Sequence, residues 1–151
     1  AAAAAGSGDR RPEIRGSCRM SEGFRNLEVW QLAMDLVESV YRTTADFPAD
    51  EKFGLTSQAR RASVSVPSCI AEGHARHTTR EYLRFVGLAA GSLAELRTQL
   101  EISSRLAWLQ PEAFAELEVK TERLSRMLTR LRLALESKLA KSPALPPISD
   151  L

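Results

Sequence analysis

The sequence predicts an all-α protein, an antiparallel up-down bundle of four helices. Apolar side chains recur at spacings of three and four residues along four long segments, as in helices that each bury one stripe. Helix-capping residues, glycine and proline separate these segments, and no segment shows the alternation of apolar and polar residues that is typical of a strand. The chain has 151 residues, which is enough for one domain with a sizeable core.

The first helix is predicted over residues 27–44, with Asn26 as its N-cap. Its expected buried stripe consists of Leu27, Trp30, Ala33, Val37, Val40 and Thr44. Phe47 precedes Pro48, and the residue before a proline disfavours helical geometry, so the helix should end before this pair.

The second helix is predicted over residues 56–72. Its expected apolar side consists of Ala59, Ala62, Val66 and Ile70. Pro67 lies inside this segment and lacks a backbone N–H, so we expect a kink there. Gly73 is expected to end the helix, because glycine readily adopts the left-handed conformation that follows many helices.

The third helix is predicted from Thr78, which forms a capping box with Glu81, to about Ala107. Its expected stripe consists of Tyr82, Val86, Ala89, Leu93, Leu96, Leu100 and Ser103. Gly87, Gly91 and Ser92 leave little side-chain bulk in its middle. Each glycine weakens a helix by about 1 kcal/mol, so we expect another helix to pack closely at these three residues.

The fourth helix is predicted to begin at Pro111, because proline suits the first helical position. A heptad seam follows, consisting of Phe114, Leu117, Thr121, Leu124, Leu128, Leu131, Leu135 and Lys138. Residues 24–140 are therefore predicted to form the bundle domain. Residues 1–23 are expected to be a disordered leader or tag, and residues 141–151 a proline-rich disordered tail.

Charge, apolar runs and cysteine content restrict the functions that this chain can have. The net charge is +2, and residues 1–20 supply that excess, so the remaining 17 basic and 17 acidic groups balance. A neutral core argues against a non-specific nucleic-acid binder, although the distribution of charge matters more than its sum. The sequence contains no run of eighteen apolar residues, so it predicts no membrane span. Cys18 and Cys69 lie far apart and form no disulfide framework, which favours the cytoplasm.

The sequence offers little catalytic or metal-binding chemistry. No glutamate is followed three residues later by histidine, so a di-iron bundle is excluded, and no nucleophile elbow occurs. Cys69, His74 and His77 are expected on different elements and lack a fourth metal ligand. We therefore expect no enzyme activity, metal, cofactor or small-molecule substrate.

Polar residues share one face on each of the two central helices. The second helix carries Gln58, Arg61, Ser65, Ser68 and Glu72, and the third carries Glu81, Arg84, Glu95 and Gln99. If these faces are buried, the charges must pair, because an unpaired buried charge is costly. An ion-pair network between helices or subunits is favoured over a polar groove for a ligand, and both interpretations stay open.

Arginines form two clusters that could follow a phosphate backbone. Arg76, Arg80 and Arg84 surround the start of the third helix, and Arg123, Arg126 and Arg130 follow one side of the fourth. Glu118, Glu122 and Glu136 alternate with the second set, as on an ordinary solvated helix. Ordinary surface charge is therefore the competing interpretation. Assembly into a ring would repeat either patch around an axis.

Four segments carry a family resemblance. Residues 24–31 (FRNLEVWQ), 53–62 (FGLTSQARRA), 65–73 (SVPSCIAEG) and 90–96 (AGSLAEL) resemble the four-helix bundle proteins of 23S rRNA intervening sequences. The resemblance spans residues 24–138. It implies a homopentameric ring of bundles, related to the accessory variability proteins of diversity-generating retroelements, which engage a reverse transcriptase and nucleic acid. Cys69 stands where the family usually has asparagine, so a role of that amide is not expected here.

The leading hypothesis is a cytoplasmic homo-oligomer, expected to be a pentamer, that acts as an accessory binding module. Its partner would be RNA or DNA, or a nucleic-acid enzyme in a ribonucleoprotein, with the two arginine clusters as phosphate contacts. The alternative is an oligomeric scaffold that binds protein without nucleic acid. In that case the polar faces and the small residues near Gly91 would serve assembly alone.

Overall fold

The computed structural model describes residues 23–142. Four α-helices follow one another along this part of the chain: α1 (Glu28–Thr44), α2 (Leu55–His74), α3 (Thr79–Arg105) and α4 (Pro111–Lys141). Short 3-10 helices at Gly23–Asn26 and Ala49–Glu51 precede α1 and α2. No strand occurs between residues 23 and 142, so the all-α prediction is confirmed. The predicted leader and tail lie largely outside the described residues.

The starts of α3 and α4 follow the sequence signals. The Thr78 hydroxyl accepts a hydrogen bond from the backbone N–H of Glu81 at 3.2 Å and donates one to the Glu81 carboxylate at 2.8 Å. Thr78 is therefore the N-cap of α3, as predicted. Pro111 is the first residue of α4, where its missing N–H costs no intrahelical bond.

The predicted N-cap of α1 is wrong. Leu27, and not Asn26, occupies that position, and no side chain caps the helix. Asn26 ends the preceding 3-10 helix, in which the N–H of Leu27 donates to the carbonyl of Phe24 at 3.0 Å. The chain thus enters α1 through a backbone turn and not through a polar cap.

The predicted role of Gly73 is also wrong. It lies inside α2, which continues to His74, and it is buried. A Cβ added at Gly73 would lie 2.7 Å from the Cβ of Phe85 and 2.8 Å from Cδ2 of Tyr82. This glycine is therefore required because α3 packs directly against α2 at that point.

The end of α3 is closed by an unusual residue. The helix ends at Arg105, two residues before the predicted end, and Ala107 adopts a positive φ of 58°. The N–H of Ala107 donates to the carbonyl of Ser104 and that of Trp108 to the carbonyl of Ser103, each at 3.0 Å. These bonds form a Schellman motif with alanine where glycine is usual.

The core lies between the four helices. Its fully enclosed large side chains are Leu36, Ile70, Leu96, Leu117, Leu124 and Leu128. The predicted apolar side of α2 is buried, and so is the predicted stripe of α3 except half-buried Tyr82. In α4 the seam is buried from Leu117 to Leu135 except half-buried Leu131, whereas Lys138 is exposed.

The buried stripe of α1 differs from the prediction. Val29 and Leu36 are buried, whereas Trp30 and Val37 are only half-buried. Trp30 packs against the edge of the core and also meets Phe24 of the preceding 3-10 helix, with ring centroids 5.3 Å apart. The Val29 and Leu36 side of α1 is therefore the side that faces the core.

Candidate nucleic-acid interface

Arg76 lies in the turn between α2 and α3, where two contacts hold its side chain. Its guanidinium donates to the Glu72 carboxylate at 2.7 Å. The same group lies over the Phe85 ring, 4.8 Å from the ring centroid, as in a cation–π contact. The guanidinium of Arg76 is therefore restrained although it remains solvent-accessible.

Arg80 and Arg84 are exposed in the first two turns of α3. Neither forms an ion pair with any residue from 23 to 142. Glu81 lies between them in the sequence, but its carboxylate accepts the hydrogen bond from Thr78. The first arginine cluster thus holds two cations that no neighbouring carboxylate neutralises.

The second cluster lies on the solvent side of α4. Arg123, Arg126 and Arg130 are all exposed. Arg126 is 3.8 Å from the Glu122 carboxylate, which is a long contact between two largely exposed groups. Within the described residues, Arg123 and Arg130 have no ion-pair partner.

Two acidic residues that alternate with this cluster in the sequence belong to another side of α4. Glu118 lines a cleft of about 390 Å³ between α3 and α4, which also contains Arg97, Phe114 and Thr121. Glu136 accepts a hydrogen bond from Arg132 at 3.2 Å, and Arg132 lines a second, smaller cleft between the same helices. The sequence did not predict these clefts, since they depend on the separation of α3 and α4.

The polar faces of α2 and α3 meet through neutral groups. The hydroxyls of Ser65 and Ser92 share a hydrogen bond of 2.9 Å. Gln58 and Arg61 are exposed on α2. The ion pairs among residues 23–142 all join residues four apart in the sequence, within α3, within α4 or from α2 to the turn that follows it, so these residues form no ion-pair network between α2 and α3 in a single copy. The predicted network between subunits stays a prediction.

Gln99 is the most buried member of these faces, with only 5% of its surface exposed. Its Nε2 donates to the Glu95 carboxylate at 3.1 Å. Its Oε1 is buried and accepts no hydrogen bond within the described residues. A buried acceptor without a donor costs about 1–3 kcal/mol of stability. The hydrogen-bonding capacity of the Gln99 amide is therefore only partly used beneath the polar face.

Gly87 and Gly91 differ from Gly73. Both are exposed, and a Cβ added at either would meet no atom within 4 Å. Ser92 packs against α2 through Ser65. The close approach predicted at the two glycines is therefore not made by any helix within residues 23–142 of the same copy.

The cysteine and the two histidines lie in separate surroundings. Cys69 is half-buried, with its sulfur 3.8 Å from the Ser65 hydroxyl. His74 contacts the Tyr82 ring edge to face, with centroids 5.9 Å apart, and burial raises the pKa of Tyr82. His77 is exposed. Residues 23–142 contain no group of three or more metal-binding side chains.

None of the helices within residues 23–142 combines the length and the apolar character needed to cross a bilayer.

Comparison with known proteins identifies a family relationship. The sequence model of the family described as "23S rRNA-intervening sequence protein" matches residues 25–130. No curated protein matches the chain. The fold is similar to a crystal structure from Bacteroides thetaiotaomicron, described as a protein of unknown function from the S23 ribosomal protein family. That similarity has a TM-score of 0.63 and 14% sequence identity, and covers 69% of this chain and 97% of the other.

Proposed function

This chain belongs to the 23S rRNA-intervening sequence protein family, and from this membership we propose that it is a non-enzymatic accessory module that binds nucleic acid. The observation that carries the proposal is a set of exposed arginines without ion-pair partners among the described residues: Arg80 and Arg84 on α3, and Arg123 and Arg130 on α4. Arg76 and Arg126 complete the two clusters. Guanidinium groups bind phosphate oxygens well because their planar N–H donors match the oxygen geometry.

We further propose that the four helices form an antiparallel up-down bundle. Two contacts and the short turns between the helices support this arrangement. Gly73, near the end of α2, packs against Tyr82, near the start of α3. Lys120 of α4 donates to the Ser39 hydroxyl of α1 at 2.7 Å, so the last helix returns to the first. Neighbouring helices joined by short turns pack most readily in opposite directions.

The proposed working form is a homo-oligomer, expected to be a pentameric ring in the cytoplasm. The open surface at Gly87 and Gly91 supports contact with further copies. Light scattering measures this directly, because one chain has a mass of 16.7 kDa. A mass of about five chains supports the ring, and a monomer mass that does not change with concentration contradicts it.

A filter-binding titration against a structured RNA, at low and at moderate salt, tests the nucleic-acid proposal. We expect measurable affinity at low salt that weakens as salt rises, because phosphate contacts release counterions. Absent affinity, or affinity that salt does not change, contradicts the proposal.

A protein-binding scaffold is the second candidate. It is favoured by the exposed apolar side chains on α2 and α3, Val64, Leu88 and Ile102, which are each at least 40% exposed. Affinity capture from cell extract, with and without nuclease, separates the two functions. Partners that remain bound after nuclease treatment support the scaffold, and partners that nuclease removes support nucleic-acid binding.

A further inference from the structure

The second arginine cluster continues along α4 beyond the arginines that the sequence pattern identified. Arg123, Arg126 and Arg130 are separated by three and four residues, and Ala134, Ser137 and Lys141 continue the same spacing. All six are exposed. Residues at this spacing lie on one face of a helix, so Arg123, Arg126, Arg130 and Lys141 form one surface, which we name the α4 basic stripe.

Over residues 123–141 the stripe lies away from the core and from Glu136, the acidic residue of that segment. Leu124, Leu128 and Leu135 of the same segment are buried, which directs the opposite side of the helix to solvent. Glu118 lines the larger cleft against α3, and Glu136 pairs with Arg132, which lines the second cleft between the same helices. Glu122, at 3.8 Å from Arg126, is the one carboxylate recorded in contact with the stripe among the described residues.

The dimensions of the stripe fit an extended polyanion. Arg123 and Lys141 are eighteen residues apart, which corresponds to about 27 Å along a helix. A nucleic-acid strand in a duplex presents one phosphate per about 3.4 Å of axis, so the stripe spans on the order of eight phosphates. The two apolar side chains exposed beside it, Val119 and Leu133, are about 21 Å apart and form no continuous apolar patch for a protein partner.

We infer that the phosphate backbone of a nucleic acid binds along the α4 basic stripe, with Lys141 as a contact in addition to the arginines. This inference rests on the proposed function, because it specifies where a bound nucleic acid lies. It also explains how a fold of near-neutral net charge can bind a nucleic acid. Cations collected on one helix face create a local positive potential that the net charge does not reveal.

The test compares two triple variants of the full chain in a salt titration with a structured RNA. The stripe variant is Arg123→Gln, Arg130→Gln and Lys141→Gln. The control, Lys52→Gln, Arg97→Gln and Arg105→Gln, removes the same charge from exposed positions elsewhere. Each lost contact should reduce the slope of log affinity against log salt by about 0.7, so the stripe variant should be shallower by about 2 and bind about 100-fold more weakly at 0.1 M salt. The control should stay within about threefold of the wild type.

The possible outcomes separate this inference from the function on which it rests. If the wild type binds RNA but both variants lose affinity equally, net charge governs binding and the inference is wrong while the proposed function stands. If the stripe variant binds like the wild type, the inference is also wrong and the proposed function stands. If the wild type shows no salt-dependent affinity, both fail. Arg130→Glu alone is a second test in case the triple variant misfolds, and it should weaken binding without a change in helical circular dichroism.

Discussion

At the residue scale, two small residues have structural roles that their amino-acid types do not reveal. Gly73 was predicted to end a helix, but it lies inside α2 against Tyr82 and Phe85. Ala107 adopts a left-handed conformation that glycine adopts more easily. The role of Gly73 was missed because a helix-ending glycine and a packing glycine look alike in one sequence, and only the position of the neighbouring helix distinguishes them. The role of Ala107 was missed because glycine is the usual residue in that conformation.

Replacement of Gly73 by alanine should destabilise the protein by about 1–3 kcal/mol, because the added Cβ would overlap Phe85 and Tyr82. Gly87→Ala is the matched control. Gly87 is also helical but has open space at its Cβ, so alanine should stabilise the isolated fold by up to about 1 kcal/mol. Urea unfolding measures both free energies of unfolding. Equal effects of the two substitutions would show that packing at Gly73 is not the cause.

Ala107→Gly should stabilise the protein by about 1 kcal/mol, because glycine adopts the positive φ of this position without a clash of Cβ. Ala115→Gly, at an exposed position inside α4, should have the opposite sign and destabilise by about 1 kcal/mol. Thermal unfolding of both variants gives the comparison. A lower melting temperature for Ala107→Gly would rule out strain at this turn.

At the element scale, the helices with the strongest local signals were predicted best. The start of α3 at Thr78 and the start of α4 at Pro111 follow from the geometry of the first helical turn alone. The buried stripe of α1 was predicted less well, because the 3-10 helix before it covers Trp30. Such a contact is tertiary, and helical spacing does not encode it.

Thr78→Ala should lower the free energy of unfolding by about 1 kcal/mol, because the backbone N–H of Glu81 loses its acceptor. Thr98→Ala is the matched control inside α3, where the exposed hydroxyl only donates to the carbonyl of Ala94. This control should be neutral or slightly stabilising. Guanidinium unfolding followed by circular dichroism compares them, and an equal loss in both variants would argue against the cap.

At the scale of the whole molecule, the fold and the binding surface differ in how far the sequence determines them. Four periodic segments suffice to predict an all-α protein, because each segment must bury its apolar stripe. The two arginine clusters were also visible in the sequence, but the acidic residues that alternate with the second cluster made it look like ordinary surface charge. The structure shows that Glu118 and Glu136 belong to the side of α4 that faces α3. Lys141 was missed because Ala134 and Ser137, the two positions between Arg130 and Lys141 on this helix face, are neutral.

The central claim is that cations gathered on one helix face, and not an overall positive charge, bind a nucleic-acid backbone. The most direct measurement is the difference in the slope of log affinity against log salt between the wild-type protein and the Arg123→Gln, Arg130→Gln and Lys141→Gln variant, with a structured RNA. The loss of three phosphate contacts predicts that the slope of this variant is shallower by about 2. Equal slopes for the two proteins, or the same change in the charge-matched control variant, would contradict the claim.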